Sequence, residues 1–329
     1  MTVAVIGAGS WGTALAAHLR RRGAAVRLWA REPDVVAGIR DTRRNPFFLT
    51  DVDLPEGLDV SADVNAVVED ATLVVVAVPS EFVALTLKGI ARLPAGAPVV
   101  SATKGFDPER HLRMTEVVSE RFPGAAVAAL SGPTFAREVA LGRPTAAVIA
   151  ARDAALASRL QDAIGTRELR LYTNADVVGV ETGGALKNVM AIATGIADGL
   201  GLGENARAAL VTRGLAEITR LAIALGAQPA TMAGLAGLGD LVLTCTGSLS
   251  RNRALGIALA KGQALEAHER ETRMIAEGAR TVRSALALAQ RHGVRLPICQ
   301  EVGAVLFEGK APATALDALL GRAPTREDG

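Results

Sequence analysis

Val3-Ala4-Val5-Ile6 runs directly into Gly7-Ala8-Gly9-Ser10-Trp11-Gly12, and Thr13-Ala14-Leu15-Ala16-Ala17-His18-Leu19 continues as a helical pattern. The apolar run reads as a buried strand. A strand, a G-x-G-x-x-G turn and a helix together make a dinucleotide-binding fingerprint. Gly7 allows the tight turn, Gly9 lets backbone approach a pyrophosphate, and Gly12 lets the helix pack on the strand. The helix N-terminus then offers free N–H groups and a partial positive charge to the phosphates. Glycines at this spacing also arise by chance, so the weight lies in their place at the start of a strand–helix pattern.

Working outward, apolar runs at Val26–Ala30, Leu73–Val78, Pro98–Ala102, Val127–Leu130, Ala146–Ala150 and Leu169–Tyr172 alternate with helical stretches. This alternation predicts an α/β domain, a doubly wound, mostly parallel sheet with helices on both faces. Ligands of such sheets bind beyond the carboxyl ends of the strands. Arg31 stands there, about 20 residues past the glycines, where an acidic side chain would meet a ribose 2′-hydroxyl. An arginine suits a 2′-phosphate instead and favours NADP(H), while Glu32 beside it leaves NAD(H) open. Pro79-Ser80, Thr103-Lys104-Gly105-Phe106 and Ser131-Gly132-Pro133-Thr134-Phe135-Ala136 follow three further runs, and the last opens a helix suited to an anion.

From Asp176 the strands stop, and helices are predicted at Val177–Asp198, Asn205–Leu225, Arg251–Lys261, Thr281–His292 and Glu301–Glu308. Two domains are therefore expected, residues 1–175 and 176–329. Half of the 329 residues are hydrophobic and the net charge is +2 with no basic block, which argues against a nucleic-acid binder. Scarce aromatics argue against base-stacking platforms. Cys245 and Cys299 form neither a disulfide framework nor a metal-spaced set, which fits a reducing cytoplasm and no metal. Apolar runs such as Leu73–Pro79 fall far short of the ~18 residues of a membrane span, and no basic region precedes the first strand as in a signal peptide.

Only five of the 36 basic residues are lysines: Lys88, Lys104, Lys187, Lys261 and Lys310. Arginine does not deprotonate in proteins, whereas burial can bring a lysine into the working range. Lys104 and Lys187 are the two in unusual surroundings. Asp240, in Gly234-Leu235-Ala236-Gly237-Leu238-Gly239-Asp240-Leu241-Val242-Leu243-Thr244-Cys245, is a carboxylate among small and apolar residues, which is costly unless a cation meets it. Lys187 is the obvious partner. Ser250-Arg251-Asn252 opens a helix with donors suited to a phosphate. A structural ion pair and an ordinary capped helix would leave the same marks.

Taken together, Gly7-Ala8-Gly9-Ser10-Trp11-Gly12, Thr103-Lys104-Gly105, Ser131-Gly132-Pro133, Leu186-Lys187-Asn188, Gly239-Asp240 with Thr244-Cys245, and Ser250-Arg251-Asn252 resemble bacterial NAD(P)-dependent glycerol-3-phosphate dehydrogenases in order and spacing. The resemblance runs from residue 3 to about residue 310. It implies a Rossmann-type domain followed by an all-helical substrate domain like the C-terminal domain of 6-phosphogluconate dehydrogenase. It further implies reversible reduction of dihydroxyacetone phosphate to sn-glycerol 3-phosphate for phospholipid synthesis. Lys187 would be the general acid/base, Lys104 would polarise the carbonyl, and Asp240 and Thr244 would orient Lys187 and the substrate. Arg251, Asn252, Ser250, Gly132, Thr134 and Asn188 would join Lys104, Lys187 and Asp240 around the substrate. Ser10, Trp11, Arg31, Lys104, Ala136, Arg251, Ile275 and Glu277 match cofactor-contacting positions beside Gly7, Gly9 and Gly12, although Glu277 could equally be a solvated helix carboxylate. Asn45-Pro46-Phe47-Phe48-Leu49 is expected as a loop over the cofactor, with Phe48 the contact. A cytoplasmic homodimer is expected. β-Hydroxyacid and 6-phosphogluconate dehydrogenases share the plan but lack the Asp…Thr-Cys…Arg-Asn segment. A non-catalytic NADPH sensor would need none of Lys104, Lys187 and Asp240.

Overall fold

The computed structural model describes residues 1–272 and 275–322. Strands β1 (Thr2–Ile6), β2 (Ala25–Trp29), β3 (Leu58–Ser61), β4 (Leu73–Val76), β5 (Val99–Ser101), β6 (Val127–Ser131), β7 (Thr145–Ala150) and β8 (Leu169–Asn174) form one sheet in the order β3-β2-β1-β4-β5-β6-β7-β8. The first six run parallel, β7 is antiparallel to β6, and β8 is parallel to β7. β1 from Val3 onward and β4 throughout are buried, as their unbroken Val/Ile-rich runs require of strands covered on both faces. The strand order reverses beside β1, and a crevice opens there.

The connecting helices are α1 (Ser10–Arg21), α2 (Pro33–Thr42), α3 (Val64–Val68), α4 (Ser80–Gly89), α5 (Met114–Arg121), α6 (Ala136–Ala140) and α7 (Ala154–Ile164). One face of the sheet packs on Leu15, Leu19, Ile39 and Leu160 of α1, α2 and α7, and the other on Val67, Leu87 and Val118 of α3, α4 and α5. Two features depart from the strand pattern read in the sequence. β3 was not among the expected strands because it is a short edge strand, and Leu58-Asp59-Val60-Ser61 buries only Val60. The direction of β7 is set by α6, which packs on α1 instead of crossing the sheet, so the chain returns antiparallel.

The remainder is helical: α8 (Val177–Gly199), α9 (Gly203–Ala224), α10 (Pro229–Met232), a π-turn (Leu235–Gly239), α11 (Asp240–Thr246), α12 (Arg251–Ala260), α13 (Leu265–Thr272), α14 (Glu277–His292), α15 (Pro297–Phe307) and α16 (Pro312–Leu320). α8 is the axle, buried almost throughout, as an all-round apolar helix must be. α12 lies directly on its backbone. A Cβ on Gly195 would stand 2.1 Å from the Arg253 carbonyl oxygen, and one on Gly256 would stand 2.2 Å from that of Ile192. Among the described residues no single helix is long and apolar enough to cross a membrane.

The contact between α8 and α12 gives a direct test. Gly256→Ala must push the two helices apart and is expected to cost about 1–3 kcal/mol, the usual range for overpacking, read as a lower urea midpoint. Gly89→Ala, whose added carbon meets nothing nearer than 3.7 Å, should leave the midpoint unchanged or raised.

Candidate active site

Beyond the carboxyl ends of β1, β4 and β5 lies a cleft of about 820 Å³. Its floor begins at the β1–α1 turn. Gly7 has φ +114°, and a Cβ there would meet the Ala77 carbonyl oxygen at 2.8 Å, so only glycine fits. Gly9 has no atom within 4 Å of its missing Cβ and leaves the turn open to the cleft. Gly12 faces inward, its Cβ position 1.8 Å from the Gly7 carbonyl oxygen, so it serves packing and does not line the cleft. The other expected cofactor residues, Gly7, Gly9, Ser10, Trp11, Arg31, Phe48, Lys104, Ala136, Arg251, Ile275 and Glu277, all line it.

The loop carrying Phe48 is fixed by two side chains. Ser10 Oγ donates to the Phe48 carbonyl at 2.6 Å. Asn45, completely buried, donates to the Ala8 carbonyl at 2.7 Å and to Thr13 Oγ1 at 2.9 Å, and its own oxygen accepts from the Phe47 and Phe48 amides. Asn45 was not among the expected site residues, although Asn-Pro ahead of two aromatics is a turn signal. At the rim, Arg31 donates to Glu32 Oε1 at 2.7 Å and stands 5.4 Å over the Phe82 ring. Phe82, on α4, carries no sequence mark that distinguishes it from a core residue.

The centre of the site is a carboxylate shared by two lysines. Asp240 is fully buried, with Oδ1 2.7 Å from Lys187 Nζ and Oδ2 2.6 Å from Lys104 Nζ. Lys187 also donates to Thr244 Oγ1 at 2.7 Å, and Thr244 donates to the Asp240 carbonyl at 2.6 Å, one turn back on α11. Lys104 donates to the Gly132 carbonyl at 2.9 Å and to Thr134 Oγ1 at 3.3 Å. Burial pushes the Lys104 ammonium down to about 8; Asp240 opposes that shift and the neighbouring Lys187 charge adds to it. Lys104, Lys187, Thr134 and Thr244 line the cleft, whereas Asp240 and Gly132 lie behind its wall.

Beside this centre Asn252 ties three helices together. Its amide nitrogen donates to Asn188 Oδ1 on α8 at 2.9 Å, and its oxygen accepts from the Gly278 amide on α14 at 3.0 Å. Ser250 caps α12 by accepting from the Arg253 amide. Asn188, Ser250, Arg251 and Asn252 all face the cleft. Glu277 is not a solvated helix carboxylate. Ser80 donates to it at 3.1 Å, and burial pushes its carboxyl up to about 7 against the Ser80 hydrogen bonds and the Arg251 charge.

Residues 2–157 match the family model described as the NAD-dependent glycerol-3-phosphate dehydrogenase N-terminus, and residues 176–317 match the corresponding C-terminus. A Koribacter versatilis protein named glycerol-3-phosphate dehydrogenase (NAD(P)+) is 52% identical over 99% of this chain and 98% of its own length. A Geobacter protein of the same name is 50% identical over 97% of each. The crystal structure of glycerol-3-phosphate dehydrogenase from Coxiella burnetii superposes with a TM-score of 0.92 at 39% identity, covering 98% of this chain and 99% of that one. With both halves matched and about half of all residues shared with proteins of that name, the chain belongs to the NAD-dependent glycerol-3-phosphate dehydrogenase family.

Proposed function

We propose that the chain catalyses the reversible, NAD(P)H-dependent reduction of dihydroxyacetone phosphate to sn-glycerol 3-phosphate, supplying the glycerol backbone of phospholipids. The observation that carries this reading is the buried Asp240 carboxylate, 2.6 and 2.7 Å from two lysines at the floor of the cleft that opens from the β1–α1 turn. The cleft suits a nicotinamide dinucleotide. Gly9 leaves room for a pyrophosphate against the first amides of α1, which have no partner within the helix. When bound, that cofactor supplies the hydride for the carbonyl carbon.

The remaining chemistry falls to the chain. Lys187 spends two of its three N–H bonds on Asp240 Oδ1 and Thr244 Oγ1, and the third is free to protonate a developing alkoxide. In the oxidative direction the neutral amine takes the hydroxyl proton. Thr244, which donates to the Asp240 carbonyl, offers Lys187 only its lone pairs and so fixes the lysine's direction. Lys104, whose three N–H bonds go to Asp240, Gly132 and Thr134, polarises the substrate oxygen by exchanging the longest of them, the 3.3 Å bond to Thr134. Arg251, Asn252 and Ser250 at the start of α12, with Asn188 and Thr134, receive the phosphate, while Gly132, behind the wall, acts only through the carbonyl that holds Lys104. Asp240 acts from behind by holding both lysines.

Arg31 at the rim favours NADP(H), and Glu32, which shares its guanidinium, keeps NAD(H) usable. We also take the two domains to divide near residue 175, between the end of β8 and the start of α8. A cytoplasmic homodimer is supported by two free cysteines and by the exposed Leu238 and Val242 on the π-turn and α11.

Three measurements test this reading. Lys187→Ala should lower kcat for NADPH oxidation with dihydroxyacetone phosphate by about 10²–10⁴-fold, the usual contribution of an acid/base group. Fluorescence titration should show NADPH binding retained, and undiminished turnover would reject the assignment. In the wild type, kcat/KM for dihydroxyacetone phosphate should fall as pH rises through about 8, because Lys104 loses the proton that makes it a cation. A profile flat on both sides of that pH would count against its role. Arg31→Ala should raise KM for NADPH by about tenfold to a hundredfold, as expected for a lost charge-assisted hydrogen bond, and leave KM for NADH unchanged.

A further inference from the structure

The segment between β5 and α5 carries Lys104, yet its anchors lie in the helical domain. Phe106 is buried in the helical core. It pairs with Arg113 in an antiparallel bridge, and the Asp107 amide donates to the Leu112 carbonyl at 2.8 Å. Residues 106–113 are therefore a small closed hairpin, with Lys104 just ahead of its neck. At that neck Arg113 Nη1 donates to Glu181 Oε2 at 3.1 Å. Glu181 also accepts from the Thr115 amide at 2.9 Å and from its hydroxyl at 2.5 Å, in the first turn of α5.

Glu181 sits on α8, less than two turns before Lys187. It is 6% exposed, and its hydrogen bonds go to Arg113 and Thr115 and not to the cluster of Asp240 and the two lysines. A buried carboxylate is costly unless its hydrogen bonds repay the lost water. Arg113 does not require it, since Glu116 already meets that guanidinium at 2.5 Å. The distinctive property of Glu181 is that it spans the two domains: one end of the link is the helix of Lys187, the other the neck of the hairpin that follows Lys104.

We propose that Glu181 is a positioning residue for Lys104: from α8 it fixes Arg113 and the first turn of α5, closes the neck of the hairpin, and so sets Lys104 against the helix that carries Lys187. The inference rests on the reading of Lys104 as a group that meets the substrate. A slack neck lets the ammonium shift along Asp240, and a displacement of about 1 Å in a reacting constellation costs on the order of a hundredfold in rate.

The test is a double-mutant cycle on the full chain. Glu181→Gln keeps the size and one acceptor for the Thr115 amide, and leaves Arg113 paired with Glu116. It should lower kcat by about tenfold to a hundredfold while NADPH affinity, set at the β1–α1 end, stays unchanged. In a Lys104→Ala background the same substitution should produce no further loss. Losses that multiply would mean that Glu181 acts independently of Lys104 and would overturn the proposal alone, as would a wild-type kcat for Glu181→Gln. Full activity in Lys104→Ala would overturn the reading of that lysine and the proposal with it. Should Glu181→Gln not fold, Arg113→Lys, which keeps the charge but loses the fork, enters the same cycle and is judged by the same outcomes.

Discussion

The Asp240 carboxylate compensates two ammonium groups that reach it from different halves of the chain, Lys104 from the end of β5 and Lys187 from the middle of α8. Burying any of the three ions alone would be prohibitive, and removing one partner from a buried pair typically costs about 3–5 kcal/mol. The cluster therefore locks the sheet to the helical domain at the point where the cleft needs its donors. One carboxylate against two ammoniums leaves a net positive charge, and that charge is directed into the cleft because Asp240 is wholly enclosed while both lysines line the wall.

Backbone contact makes this geometry possible. The π-turn ends at Gly239, immediately before Asp240, and lies so close to α8 that a Cβ on Gly183 would stand 2.6 Å from the Ala236 carbonyl oxygen. On the same side of the cluster, a Cβ on Gly184 would stand 2.3 Å from Ser131 Oγ at the end of β6. Small residues on α8 thus admit the element that delivers Asp240 and the strand whose following turn supplies Gly132 to Lys104. π-Turns are uncommon and cluster at functional sites; here the wider turn feeds directly into the helix that presents Asp240 and Thr244 together.

Much of this was legible in the sequence because it rests on local rules. The β1–α1 turn follows from glycine geometry, seven of the strands follow from apolar runs, and α8 follows from an unbroken apolar helix with a lysine in it. What escaped depends on tertiary partners. β3 is too short and too polar to stand out until β2 supplies its hydrogen bonds. The pairing of Asp240 with Lys187 was readable as a buried charge needing a cation, but the sharing with Lys104 was not, since Lys104 and Asp240 stand 136 positions apart and meet only when the end of β5 packs against α11. Asn45 marks a turn in the sequence but gains its holding role only from Ala8 and Thr13, and Phe82 is inconspicuous until the Arg31 guanidinium stands over it.

The acidic side chains along the cleft complete the electrostatic picture. Glu32 is paired with Arg31, Asp51 with Arg137, and Glu277 is pushed by burial toward its neutral form while facing the Arg251 charge. No carboxylate among these three faces the ligand as an uncompensated anion, whereas Lys104, Lys187 and Arg251 face it as cations. A cleft of this kind favours ligands that bring several negative charges, and its field draws them in before contact is made. A pyrophosphate at the first turn of α1 and a phosphate at the first turn of α12 would each meet a helix N-terminus as well. The substrate carbonyl would then lie between two phosphate-binding ends, within reach of both lysines. On the proposed reading the reaction would take place between two domains because each supplies one helix terminus and one ammonium, and Asp240 is the group that brings the two ammoniums together.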